Sequence, residues 1–320
     1  MIVGDFNRGK STILNVLLGQ ELMSMRVTAT TAIPIFVKYG EEEKVLVHKK
    51  DGSTEELSLE QYKQRYSLNS KVVQNQIKYY YKSVEKWLNN PNFAELHYPI
   101  ELLLEGIEFI DTPGLNYTEE GNQKIFSYIQ QSHAIIFVLA ADQPFTHNEK
   151  EYLHNLVSHP NQIKKPIFYL INKWDKLGEE DKEEIRDFLM EEFCQYLDIN
   201  ENEAEKMWGD TVFNVYAKKA LDNLKQGKNL DGTGLKEFSQ RLDNFILNER
   251  LKTELCQALQ MAKFVKIQVE SKVRERLFIL KQTEVEYEAE AKYLQDLVTN
   301  ISTQVEIIAG KYNEIINDLG

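Results

Sequence analysis

The stretch GDFNRGKST, Gly4–Thr12, begins three residues into the chain and decides how the rest is read. Four residues lie between Gly4 and Gly9, and Lys10 and Ser11 follow at once, the spacing of a phosphate-binding loop. Backbone N–H groups in such a loop point at anionic oxygens, and glycine lets the backbone come close to them. Lys10 is expected to reach the β- and γ-phosphates, and the Ser11 hydroxyl to ligate Mg²⁺. Asp5, Phe6, Asn7, Arg8, Gly9, Lys10, Ser11 and Thr12 are assigned to the nucleotide's phosphate side.

Outward from the loop, strand-like apolar runs alternate with helical patterns. The runs are IPIFVKY (33–39), GIEFI (106–110), AIIFVLA (134–140), KPIFYLI (165–171) and TVFNVYA (211–217), with segments such as STILNVLL and KIFSYIQQ between them. The alternation predicts an α/β domain, a mostly parallel sheet flanked by helices. Ligands of such sheets sit beyond the carboxyl ends of the strands, where the motifs fall. In the long segment between Glu41 and Pro99, Val73, Ile77, Tyr80, Val84 and Trp87 share one helical face. That stripe is read as a helix packed on its own domain, a contact surface being the alternative.

Three further motifs follow in order. Asp111-Thr-Pro-Gly114 closes the strand GIEFI. Its carboxylate suits a supporting role at Mg²⁺ and the Gly114 N–H can face a γ-phosphate, although Pro and Gly favour a turn in any case. Asn172-Lys173-Trp174-Asp175 closes another strand. A carboxylate at Asp175 accepts from guanine's ring N–H and exocyclic amine; adenine lacks that amine, so the motif selects GTP or GDP over adenine nucleotides. Tyr216-Ala217-Lys218 ends the next strand and could offer a backbone N–H to the guanine oxygen, though small surface loops often read this way.

Past Asp231-Gly-Thr-Gly234 the pattern changes, with no Gly or Pro from Leu235 to Ala309. Leu251, Leu255, Leu259, Ala262, Val265, Val269, Val273, Leu277 and Leu280, then Leu294, Leu297, Ile301, Val305 and Ile308, recur at helical spacing. One rod would span ~110 Å, so two or three packed helices are expected, breaking near Gln282-Thr283. A packed bundle and a moving lever need the same stripe. The expected domains are 1–232, with its first strand truncated, and an incomplete all-α helical-bundle segment over 233–320. Only three strand residues precede Gly4 and the last residues still read as helix, so the chain is expected to be a fragment.

Composition excludes other classes. A net charge of −12 argues against nucleic-acid binding, which needs clustered Lys and Arg. It also argues against adsorption to acidic lipid through overall charge. Cys194 and Cys256 form no metal or redox spacing and point to a reducing, cytoplasmic setting. The apolar run Ala134–Ala141 falls far short of the ~20 residues of a membrane helix, and Met1-Ile2-Val3 gives no signal-peptide pattern.

The four motifs resemble the P-loop GTPases of the translation-factor type. GDFNRGKST, TTAIP with VKYGEE, HYPIELLLEGIEFIDTPGLN, HAIIFVLAADQP and LDGTGLKEF together resemble bacterial dynamin-like proteins, especially the cyanobacterial type related to mitofusins. Among Thr28, Thr30 and Thr31, the resemblance assigns Thr31, in Thr31-Ala-Ile-Pro34, to Mg²⁺ and γ-phosphate sensing. It implies a GTPase head on a helical neck, nucleotide-dependent homodimers through the heads, and membrane remodelling. The place it implies is the inner face of a membrane, as a peripheral protein. Membrane lipid is an expected partner of the full-length protein, with no lipid-binding segment visible here. Two positions depart from related water-positioning patterns: Leu115 stands where Ras-like enzymes have Gln, and Phe6 where animal dynamins have Gln. Asn7 matches the position that holds K⁺ in potassium-activated GTPases, an Asn bonding its own loop being the alternative. Arg8 is a candidate arginine finger, a solvent-facing or dimer-contact Arg being the other reading. A GTP-switched binding protein with little turnover is a second functional class. A ribosome- or tRNA-associated GTPase is a third, disfavoured by the acidic charge and the lack of a basic aromatic module.

Overall fold

A computed structural model describes residues 1–23, 33–66, 91–104, 106–113, 128–129, 131–158, 165–281 and 288–318. Thr28, Thr30, Thr31, Gly114, Leu115, the stripe Val73–Trp87 and the expected break at Gln282-Thr283 lie outside the described residues. The chain divides into two compact units, one of Met1–Ser158 with Pro166–Asp243 and a second that includes Asn244–Gly320.

The first unit starts with β1 (Ile2–Val3), α1 (Lys10–Leu17), β2 (Ile35–Tyr39), β3 (Lys44–Lys49), β4 (Thr54–Leu57), α2 (Leu59–Tyr66) and β5 (Pro91–Tyr98). It continues through α3 (Glu101–Leu104), β6 (Phe109–Asp111), β7 (Ile135–Ala140), α4 (His147–Ser158), β8 (Ile167–Asn172) and a 3₁₀ turn (Trp174–Lys176). Then come α5 (Glu179–Leu197), α6 (Glu201–Met207), β9 (Val212–Val215), α7 (Ala217–Lys225) and α8 (Leu235–Asn244).

The strands form one nine-stranded sheet in the order β4-β3-β5-β2-β6-β1-β7-β8-β9. From β6 through β1, β7, β8 and β9 the pairing is parallel. β2 pairs antiparallel with β6 and parallel with β5, and β3 runs antiparallel to both β4 and β5. The mostly parallel sheet is therefore as expected, with an added antiparallel wing. Every residue of β7 is buried, which is why AIIFVLA reads as an unbroken apolar run rather than an alternating one. In α1, Ile13, Leu14 and Val16 are buried, the stripe of a helix laid on a sheet.

Helix α8 has neither Gly nor Pro and reads in sequence with the helices that follow, yet it packs on the first unit. Leu235, Phe238 and Leu242 are buried at helical spacing, and Phe238 meets the rings of Phe168 on β8 and Phe213 on β9 edge to face at 5.9 and 5.5 Å. The boundary between compact units thus falls at Asp243/Asn244, past the Gly-rich turn.

In the second unit a π-helical turn (Phe245–Glu249) leads into α9 (Arg250–Lys281), and α10 (Glu288–Asp318) follows. Cys256 Sγ lies 2.6 Å from Tyr312 Oη, and Ser302 Oγ donates to Glu270 Oε1 at 3.3 Å. These pairs join early α9 to late α10 and the later part of α9 to the middle of α10, so the two helices run antiparallel. Val273 of the expected stripe is buried, whereas Leu251, Val265, Leu297 and Ile308 are exposed. Two helices cover each other along one side only, so Leu255, Leu259, Val269, Ile301 and Val305 are half-buried rather than enclosed.

Candidate nucleotide-binding site

The loop between β1 and α1 is shaped by its two glycines. Gly4 has φ 147° and Gly9 φ 94°, backbone that side-chain-bearing residues rarely adopt. A Cβ at Gly4 would stand 2.3 Å from the Val138 carbonyl oxygen, and one at Gly9 2.2 Å from Asn172 Nδ2. The loop therefore lies hard against β7 and the end of β8, with Lys10 opening α1 directly after it. Lys10, the first residue of α1, reaches back so that Nζ donates to the Gly4 and Asp5 carbonyls at 2.9 and 3.0 Å. Burial pushes its ammonium down to about 8, against the pull of Asp111, Asp5 and Glu149 and with help from Arg8. Asn7 sits exposed at φ 57°, a left-handed conformation that Asn tolerates. Phe6 and Thr12 are half-buried.

Ser11 Oγ donates to Asp111 Oδ2 at 2.8 Å, bringing the loop's hydroxyl to the end of β6. Asp111 is fully buried, and its neighbour Thr112 donates from Oγ1 to the Ile2 carbonyl at 2.9 Å, tying β6 to β1. A hydroxyl and a carboxylate at a helix N-terminus make an oxygen-only donor set, which fits Mg²⁺. Magnesium is held by one or two protein oxygens together with substrate phosphates, so a site of this kind needs no larger cluster. Among the described residues no group of three or more His, Cys, Asp or Glu could hold a metal by itself.

The Asn172–Asp175 and Tyr216–Lys218 motifs converge on the same loop. Asn172, at the end of β8, donates from Nδ2 to the Arg8 carbonyl at 2.7 Å and accepts the Ala217 N–H on Oδ1 at 3.1 Å. One amide thus joins the phosphate loop, the end of β8 and the start of α7. Lys173 takes φ 62°, its Nζ bonding Asp142 Oδ1 at 3.2 Å, while Lys176 bonds Oδ2 at 2.8 Å. Trp174 is buried and Asp175 exposed, so the turn is anchored by the ring and presents the carboxylate outward. Lys218 is exposed. Behind it, Tyr216 N–H donates to the Thr233 carbonyl at 2.9 Å, which places the LDGTG block against the loop after β9.

Arg8 is neither solvent-facing nor turned to the loop's amides. Its guanidinium lies buried against Glu149, Nε to Oε1 at 2.7 Å and Nη2 to Oε2 at 3.3 Å, with Nη1 3.4 Å from Gln143 Oε1. Thr146 Oγ1 donates to Asp5 Oδ2 at 3.2 Å, and Asp5 Oδ1 accepts the Phe6 N–H at 2.7 Å. Sequence reading passes over Glu149, Thr146, Gln143 and Asp142, because a charged or polar residue before a helix reads as solvated. One signal was available: Thr146-x-x-Glu149 is a capping-box pattern ahead of α4.

Comparison with known proteins agrees with this geometry. A family model described as "Dynamin family" matches residues 1–174, and one described as "Bacterial dynamin-like protein, helical domain" matches residues 219–315. The Bacterial dynamin-like protein of Nostoc punctiforme is 32% identical over 300 residues, covering 88% of this chain and 41% of its own length. Mitofusin-2 of Rattus norvegicus is 26% identical over 337 residues, covering 97% of this chain and 41% of its own. A solved bacterial dynamin aligns with 99% of this chain and 47% of its own at TM-score 0.59 and 21% identity. That structure is described as an oligomerised bacterial dynamin pair that provides a mechanism for the long-range sensing and tethering of membranes. This chain therefore spans less than half the length of these relatives. With a family model over residues 1–174 and a relative 32% identical across 88% of the chain, this chain belongs to the dynamin family.

Proposed function

We propose that this chain binds GTP with Mg²⁺ and hydrolyses it to GDP and phosphate. The observation that carries the reading is Asn172, whose one amide holds the phosphate loop and the start of α7 while Asp175 follows three residues on in the same turn. Asp175 accepts from guanine's ring N–H and amine, and the loop from Asp5 to Thr12 receives the phosphates. A site built to bond that edge can reject a base lacking the groups by about 10⁴.

In the reaction a water oxygen bonds the γ-phosphorus as the bond from that phosphorus to the β–γ bridging oxygen breaks, releasing GDP and phosphate. The Lys10 ammonium and the loop amides offset the charge that gathers on those oxygens. Ser11, with Asp111 behind it, would hold Mg²⁺, which when bound neutralises phosphate charge. Thr31 and Gly114 are assigned to the γ-phosphate side. Asn7, exposed in the loop, is assigned to a K⁺ ion beside the phosphates, so turnover in K⁺ should exceed turnover in Na⁺ or choline.

In the full-length protein, heads of two copies meet with nucleotide bound, and the helical neck moves to remodel membrane at its inner face. The description of the bacterial dynamin pair supports this, and so does the likeness to mitofusin-2. No helix of the described residues is long and apolar enough to cross a membrane. A second reading, a GTP-switched binder with little turnover, is favoured by Phe6 and Leu115, which stand where related GTPases carry the glutamine that positions water. Phosphate release from GTP and from ATP, measured with Mg²⁺ and with EDTA over a range of protein concentrations, separates them. The account expects release from GTP alone, lost in EDTA and rising per head with concentration. Release absent at every concentration, with GTP still bound, favours the switch.

A further inference from the structure

Among the described ion pairs, Arg8–Glu149 is the most deeply buried, with side-chain exposures of 4% and 0%. Its two contacts are fork to fork, the geometry that fixes a guanidinium in orientation as well as place. The same carboxylate also finishes the start of α4. Glu149 Oε2 accepts the Thr146 N–H at 2.9 Å, and the Glu149 N–H donates to Thr146 Oγ1 at 3.4 Å. Thr146 in turn donates to Asp5. The outer wall of the phosphate loop is thus latched to the turn after β7 at two points, Asp5 and Arg8, on either side of the left-handed Asn7. From the other side, Asn172 holds the Arg8 carbonyl.

We propose that Arg8 and Glu149 are positioning residues for nucleotide: the pair sets the curve of the amide cradle from outside and cancels a buried negative charge that would repel phosphates. The inference rests on the GTP reading and extends it to side chains that point away from the substrate. A guanidinium with both forks engaged inside the protein is not offered to a transition state. Glu149 stands at the outer wall of the loop, bonded to Arg8 and, through Thr146, linked to Asp5, so its charge lies beside the cradle that takes phosphate. Removing Arg8 strands a carboxylate in that field. Removing the charge of Glu149 strands a cation, which phosphate tolerates.

That asymmetry is the test. Affinity for a fluorescent GDP, with kcat and KM for GTP, is measured on the full chain for wild type, Arg8→Ala, Glu149→Gln and the double variant. Arg8→Ala is expected to weaken GDP about 30-fold or more, with KM rising in step and kcat falling less than about tenfold. Glu149→Gln still accepts from Arg8 and should lose only about threefold. The double variant, with no stranded carboxylate, should regain most of the GDP affinity that Arg8→Ala loses. If Arg8→Ala does not fold, Arg8→Lys serves: it keeps the charge and is expected to hold GDP within about fivefold of wild type.

Arg8→Ala, or Arg8→Lys in its place, with GDP affinity intact and kcat down about 10³-fold or more would make Arg8 an arginine finger and overturn the proposal. A double variant that binds GDP no better than Arg8→Ala overturns it too, with the GTP reading untouched. Wild type that binds no GDP at all removes the GTP reading, and this inference with it.

Discussion

Asn172 donates to the Arg8 carbonyl and accepts from the Ala217 N–H, so alanine at this position strands two backbone groups at once. The Asn172→Ala variant should lose about 2–4 kcal/mol of unfolding free energy by chemical denaturation and bind GDP more weakly. Asp175 calls for a different experiment, because it is exposed and holds no structure together. Asp175→Asn presents one donor and one acceptor, matching xanthine in place of guanine. Its stability should stay within about 0.5 kcal/mol of wild type. Its preference should move from GTP to XTP by about 100-fold or more, read as the ratio of displacement constants. Both residues were legible because their motif is contiguous and ends a strand. Glu149 was not: it lies 141 residues from Arg8 in sequence, and one acidic residue opening a helix carries no mark of burial.

At the scale of the element, the antiparallel wing carries a cluster of its own. Glu95 on β5 accepts from Lys38 on β2 at 2.8 Å and lies 3.5 Å from the imidazoles of His48 on β3 and His97 on β5. Glu108 stands 3.8 Å from the same Lys38. Burial pushes the Glu95 carboxyl up, but Lys38 and the two imidazoles outweigh it and hold the group below its ordinary value of 4.5. A carboxyl lowered by folding contributes stability above its unfolded value, and that contribution fades as pH falls through the folded one. Solvent screening limits it to about 1 kcal/mol. The difference in unfolding free energy between wild type and Glu95→Gln should be full above about pH 5 and shrink steadily below about pH 4.

This wing was also the part of the sheet that reading missed. β4 has only four residues, and the outward residues of both β3 and β4, such as Lys44, His48 and Glu56, are polar. Alternation over so few residues is weak beside the solid apolar runs of β7 and β8. The Asp51-Gly52 turn between them is a hairpin signal, with Asp51 Oδ1 accepting from Ser53 N–H at 2.9 Å. Helix α8 is hard to place from sequence for the opposite reason. Its periodicity is helical whether it packs on a sheet or on other helices, and only the rings of Phe168 and Phe213 decide between them.

At the scale of the whole molecule, the order of the motifs was enough to place the chain among P-loop GTPases, since each motif ends a strand on the same edge of the sheet. What the helical half does was less legible, because a repeating apolar stripe says that something covers it without saying what. If paired heads are the active form, GTP turnover per head should rise at least about threefold between dilute and micromolar protein, as the dimer fills by mass action. Flat turnover would separate hydrolysis from pairing. The central claim is that one site grips guanine and phosphates together, and equilibrium displacement of a fluorescent GTP in the presence of Mg²⁺ tests it most directly. GTP and GDP are expected to displace the probe, and ATP to fail at about thousandfold excess. ATP competing as well as GTP, or a probe that never binds, would contradict the account.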